Sequence, residues 1–243
     1  MRRLLTLFVV LLLSGVSMAA EQRPKVKVAI LEFPGFAQMN EAGELVGNTV
    51  TLSRKLITEA GYEPEFQILP TARIWRGLKS GQIDIWPGVM NKPDMDKHTL
   101  LTERDMGSIN IYLYHRPDTP VPVWPDGMRG KHVIIITNFT YTHNMLKILT
   151  ERVAKLHQSA SHAGAVEMLM RGRGDYLLDY RSQVDPVLQQ RGIEPLPNIE
   201  VSAQPMRFVL SRRSPLAQQL REDLDAAFDR LQATGEELDV ARQ

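Results

Sequence analysis

The sequence predicts an α/β fold of two lobes, each a mostly parallel sheet flanked by helices, with two crossing strands between them acting as a hinge. Three observations carry this prediction. Short apolar strands alternate with amphipathic helices from residue 26 to residue 87, the alternation restarts after residue 131, and two proline-rich breaks separate the runs. Each helix in such an alternation carries the chain back to the same end of its sheet, which favours parallel pairing. With 243 residues, 43% of them hydrophobic, the chain is long enough to bury a core of this kind.

Ahead of the first strand, Arg2 and Arg3 precede an apolar run from Leu4 to Leu13, followed by Ser14, Gly15, Ser17, Ala19 and Ala20. A basic start, a short apolar stretch and a small-residue exit read as a cleaved signal peptide over residues 1–20. The apolar run is about half of the roughly 20 residues that span a bilayer. Losing the two arginines moves the formal charge from +1 to −1. The mature chain is expected in the periplasm, beyond the inner membrane.

Val26 to Leu31, between Pro24 and Pro34, reads as the first strand. Gly43 and Gly47 bracket a hairpin turn before a helix opening at Asn48 or Thr49, whose Val50, Leu52, Leu56, Ile57 and Ala60 share one face and which Gly61 stops. Glu65 to Leu69 is a second strand. Thr71, after Pro70, is the expected N-cap of a helix carrying Ile74, Trp75 and Leu78, closed by Gly81. Ile83 to Trp86 is a third strand. Pro117, Pro120, Pro122 and Pro125 then mark the expected first crossing. A strand at His132 to Ile136, a helix beginning near Thr140 to Asn144, a strand near Val153 to Leu156, a helix from His162 to Met170 and a strand at Asp175 to Leu178 form the second series. Pro195, Pro197 and Pro205 mark the second crossing. Arg207 to Leu210 is a final strand, and Ser214-Pro215 caps an amphipathic last helix. Lobe 1 is thus expected over 24–111 and 204–243, and lobe 2 over 112–203.

The absence of cysteine excludes a disulfide scaffold, a thiolate metal site, a thiol nucleophile and a lipid anchor on an N-terminal Cys. Balanced charge provides no pull toward nucleic acid or an anionic membrane. Six histidines lack metal-ligand spacing, and neither a nucleophile elbow, a phosphate-cradling loop nor a Rossmann glycine fingerprint is present. No catalytic residue, metal or cofactor is therefore expected.

Ligands of doubly wound sheets sit at the mouths of strand-to-helix turns. Arg73 lies at one, where its guanidinium suits an anionic ligand group; the alternative is a salt bridge that fixes the turn. Phe33, Phe36 and Trp86 stand at strand ends where aromatic rings sandwich an apolar ligand body, or else pack the lobe. In the second series Asn138, Phe139, Thr140 and Tyr141 lie between a strand and a helix, where N–H groups and hydroxyls converge on a ligand or simply cap the helix.

The segment Pro34-Gly35-Phe36 leading to Gly43 and Gly47, then Pro70, Arg73, Leu78, Gly81 and Asp84, then Trp124 through Gly130-Lys131-His132-Val133, and finally Met168-Leu169 through Gly172, Asp175 and Asp179 follow one another in a characteristic order. In this the chain resembles the extracellular solute-binding proteins of family 3, which include polar amino-acid receptors of ABC importers. The resemblance implies a venus-flytrap fold in which a small polar solute bridges the lobes and a hinge closes over it. It implies a ligand-facing carboxylate at Asp179, with Tyr180 beside it, and a turn-shaping role for Asp84. It implies a monomer that delivers its solute to an ABC permease. A periplasmic dehydratase acting on cyclohexadienyl compounds, or a sensor that docks a membrane receptor, are the alternatives.

One stretch departs from that family. Its amino-acid receptors follow the third strand with a threonine-rich loop whose arginine clamps the ligand α-carboxylate. Here the stretch runs from Gly88 to His98, and aligned on Leu101-Thr102 the arginine position falls near Met95. Lys92 and Lys97 lack the planar fork that fits a carboxylate. Ordinary α-amino acids are therefore expected not to bind tightly. At 100 times its dissociation constant a tight ligand adds about 2.7 kcal/mol, raising the melting temperature of a domain this size by roughly 5–10 °C; a rise of that size with a standard amino acid contradicts the expectation.

Overall fold

The computed structural model describes residues 23–241 except Pro34, Asn91 and residues 138–140. The expected signal peptide lies outside the described residues. β1 (Lys25–Ile30) is followed by a hairpin of β2 (Gln38–Met39) and β3 (Leu45–Val46), then α1 (Asn48–Glu59), β4 (Glu63–Ile68), α2 (Thr71–Ser80), β5 (Ile85–Gly88) and β6 (Thr99–Leu101). β7 (Ser108–His115), β8 (His132–Ile136), α3 (His143–Arg152), β9 (Lys155–Ser159), α4 (His162–Met170), β10 (Tyr176–Tyr180), α5 (Arg181–Gln190) and β11 (Asn198–Pro205) form the second lobe. The chain returns through β12 (Arg207–Ser211) and α6 (Ala217–Ala233).

The strand orders are β4-β1-β5-β12-β6 and β11-β7-β10-β8-β9. β1 pairs in parallel with β4 and β5, and β8 with β9 and β10, each through a helical crossover. β12 runs antiparallel to β5 and β6, and β7 antiparallel to β10 and β11. Each sheet is therefore mixed rather than mostly parallel, because strands arriving from the other lobe enter without a crossover helix.

Side chains alternate across both sheets. Val26, Val28 and Ile30 pack with α1 and α6, whereas Ala29 packs with Ile74, Trp75 and Leu78 of α2. In the second sheet Val133 and Ile135 meet Met145 and Leu149 of α3, and Ile134 and Ile136 meet α4 and α5. Phe33 and Ile109 pack against the cores of both lobes.

A single device fixes the strand order in each lobe. Gly81 and Gly172 adopt left-handed φ of 82° and 69°, which only glycine takes freely, three residues before Asp84 and Asp175. The Asp84 carboxylate accepts the Lys27 N–H at 2.9 Å while its own N–H donates to the Lys27 carbonyl; Asp175 does the same with His132, accepting at 2.7 Å. Asp84 also accepts the Ser214 hydroxyl at 2.7 Å. Ser214 thus ties the return segment to β5 and is not a helix cap, since the N-cap of α6 is Leu216. Thr71 likewise opens α2, with Pro70 as its N-cap.

The first crossing corrects another expectation, while the second falls beside Pro205 as expected. The cluster Pro117 to Pro125 lies beyond β7, inside the second lobe, whereas the chain crosses at residues 106–108 and 205–207. Met106 N–H donates to Met206, Met206 N–H to Gly107, and Val240 N–H to Met106, at 2.8, 2.9 and 2.9 Å, so the two crossings lie side by side with the C-terminal segment against them. The sequence reading also missed α5, which carries Pro186 inside it.

Asp84→Ala should lower stability by about 1–3 kcal/mol, because it strands the Lys27 N–H and the Ser214 hydroxyl. A denaturant midpoint unchanged from the parent would show that the carboxylate does not hold β1 beside β5.

Candidate functional site: an aromatic cleft between the lobes

A cavity of about 310 Å³ opens where the two lobes meet. Its first wall is built at the C-terminal ends of parallel strands: Ile30 to Phe33 run on from β1, Trp86 to Val89 end β5, and Thr49 and Thr71 come from the starts of α1 and α2. The second wall comes from the crossings and the other lobe, through Ile109, Tyr180, Gln204 and Met206.

Local backbone bonds hold the aromatic residues in place. Phe33 and Ala37 exchange N–H···O bonds at 2.8 Å, closing the loop that presents Phe33 and Phe36. The Phe36 carbonyl accepts the Thr49 N–H at 3.0 Å, and a Cβ on Gly47 would lie 2.3 Å from that carbonyl oxygen. Only glycine, here at φ 124°, lets the start of α1 approach so closely. The Phe33 ring meets Phe36 at 5.5 Å and Tyr180 of the other lobe at 5.3 Å, the latter edge-to-face at 85°. Trp75 and Trp86 form a second edge-to-face pair at 4.6 Å. The Trp86 indole lies over Gly88, whose added Cβ would fall 2.2 Å from the ring.

Charge in the cleft is sparse. Among the described lining residues Glu32 is the one acidic side chain, and none is Lys, Arg or His. Glu32 is exposed. Burial, with the Asp179 charge adding to it, pushes the Tyr180 phenol above its ordinary range, so it stays a neutral hydroxyl. Thr49 Oγ1 and Trp86 Nε1 are buried and find no hydrogen-bond partner among the described residues, and both residues line the cavity. Such groups are uncommon in folded proteins.

The structure brings Phe36 and Trp86 together in the wall, with Phe33 and Tyr180 between the lobes. Arg73, Tyr141 and Asp179 are not among the residues that line the cavity. Arg73 is exposed on α2, two residues past the lining Thr71, and does not line the cavity. Tyr141 is buried in the second core; its hydroxyl accepts the Ile136 N–H at 2.9 Å and donates to the Leu178 carbonyl at 3.3 Å, so it ties β8 to β10. Asp179 is 0% exposed. Its carboxylate bonds His162 Nδ1 at 2.8 Å and accepts the Tyr180 N–H at 2.8 Å. Burial pushes that carboxyl above the usual carboxylate range, opposed by His162 and the Tyr180 N–H. It serves the interior of its own lobe. Asn138 and Thr140, with Phe139, lie outside the described residues. No group of three or more His, Cys, Asp or Glu side chains among the described residues could hold a metal ion, and no helix among them is long and apolar enough to cross a membrane.

Sequence reasoning missed Glu32, Thr49, Trp75 and Gln204. Glu32 sits just past the end of β1, where the strand-end rule that found Phe33 applies equally. Trp75 falls on the same helical stripe as Ile74 and Leu78, which reads as ordinary core.

Comparison with known proteins follows from this geometry. Residues 26–241 match the family model of bacterial extracellular solute-binding proteins, family 3. A search of curated protein sequences finds no significant match. Among solved structures, a probable amino-acid ABC transporter extracellular-binding protein from Bacillus subtilis superposes with TM-score 0.68 at 20% identity, covering 88% of this chain and 94% of that one. A histidine kinase sensor domain with similarity to periplasmic binding proteins gives 0.66 at 18%, covering 90% and 95%. An ancestral amino acid-binding protein, a precursor of cyclohexadienyl dehydratase, gives 0.61 at 16%, covering 87% and 90%. At such identities the likeness shows the fold and leaves the ligand open.

Gly88→Ala should displace the Trp86 indole, at a cost of about 1–3 kcal/mol. Near-ultraviolet circular dichroism of the Trp75 and Trp86 pair reports this directly, and an unchanged spectrum would contradict the close packing.

Proposed function

The chain belongs to family 3 of the bacterial extracellular solute-binding proteins, and on that premise we propose that it captures a small polar solute between its lobes and closes over it. The observation that supports this reading is the shared wall: one cavity takes residues from both lobes, and the Phe33 and Tyr180 rings meet across it. A solute held there contacts both lobes only when they approach, so its binding energy favours the closed arrangement. The crossings at Gly107 and Met206 supply the hinge.

In the same proposal the protein is exported by its N-terminal signal peptide, works in the periplasm as a monomer and hands its solute to an ABC permease. A sensor would use the same closure with a different partner, and the likeness to a histidine kinase sensor domain supports that second reading. A dehydratase needs a general acid held at the substrate. Glu32, the one acidic side chain among the described lining residues, is exposed.

Native mass spectrometry of gently purified protein should reveal a bound small molecule. Removing it and adding it back should lower the radius of gyration in small-angle scattering, and an unchanged radius would contradict capture by closure. Arg73→Ala should leave affinity for that molecule within about twofold, since the side chain stands outside the cavity; exposed charges contribute little. A tenfold loss would place Arg73 at the ligand after all.

A further inference from the structure

We propose that the solute is an organic cation, an ammonium group of primary to quaternary type on a compact body, held by aromatic faces and Glu32 with no carboxylate clamp; this rests on the solute-binding reading above. Phe33, Phe36, Trp75, Trp86 and Tyr180 all line one cavity of about 310 Å³. An aromatic ring carries negative charge on its faces, so a cation over one is attracted, most strongly where water is excluded. The one acidic side chain in the described lining adds attraction of the same sign.

The cations of the neighbourhood lie elsewhere. Arg73 is outside the lining, and Lys97 bonds Asp94 at 2.7 Å. Lys92 is exposed and does not line the cavity. A ligand carboxylate placed in the cleft would meet Glu32 with no fixed positive charge among the described lining residues. Gln204, Thr49 and Thr71 offer neutral hydrogen bonds instead, which suit a hydroxyl or carbonyl on the same solute. The cavity lies at the small end of the range of roughly 300–1,000 Å³ for small-molecule sites, which favours a compact ligand.

Isothermal titration of the mature protein with choline, tetramethylammonium and butylamine, against the uncharged tert-butyl analogue of choline and against L-glutamate, tests the inference. At least one cation should bind, and choline should bind about tenfold or more tightly than its uncharged analogue. Glu32→Gln, an exposed substitution that leaves the fold intact, should weaken the cation by about threefold to tenfold without changing the melting temperature of the free protein. Equal binding of choline and its uncharged analogue overturns the inference, and so does failure of every cation to bind. If the solute recovered from native protein is anionic or neutral and still closes the lobes, the cation inference fails while the solute-binding reading stands. If nothing recovered closes the lobes, both fail.

Discussion

Phe33 packs at once against the apolar cores of the two lobes, with its ring against Phe36 on one side and Tyr180 on the other. Opening the cleft must break the second of these contacts. Full burial of a phenylalanine side chain stabilises by about 1.5–3 kcal/mol, so half-buried Phe33 contributes less, and an edge-to-face pair adds roughly 0.5–1.5 kcal/mol. A ligand bound at micromolar strength supplies about 8 kcal/mol. In the proposed capture by closure, the interlobe contact is strong enough to define a closed geometry and weak enough for a solute to govern it.

Such a balance requires each lobe to move as a unit. The paired aspartates, Asp84 against Lys27 and Asp175 against His132, lock the strand that follows each left-handed glycine to its neighbour. Ser214 then binds the return segment into the first lobe, and Tyr141 binds β8 to β10 in the second. The proposed closure leaves flexibility to the crossings near Gly107 and Met206, where backbone bonds link two extended strands and the C-terminal segment. Buried Asp179, bonded to half-buried His162, adds to this framework, and neither residue is among those lining the cavity.

Much of the fold was legible in the sequence because its signals are local. β8 and α4 fall at the expected residues, the first after Gly130-Lys131 and the second after Ser161, whose hydroxyl accepts the Gly164 N–H. The first crossing was misplaced because proline marks any loop and residues 106–108 carry none, whereas Pro205 does stand at the second. α5 was hidden by Pro186 and a polar composition. At the site, the strand-end rule located Phe33, Phe36 and Trp86, since it depends only on topology. It does not say which way a side chain faces. Every residue of β10 is buried, so Asp179 at its end belongs to the interior while its neighbour Tyr180 reaches the cavity.

The lack of cysteine makes the central claim directly measurable, because two introduced cysteines are the only labelling sites. Spin labels at Lys79→Cys on α2 and Glu151→Cys on α3, both exposed, report the distance between the lobes by pulsed electron resonance. With its solute bound, the account predicts one narrow distance for the otherwise unchanged protein and a longer, broader distribution when Phe33→Ala is added. Identical distributions would contradict it, because the lobes would then hold their closed geometry without the ring that bridges them.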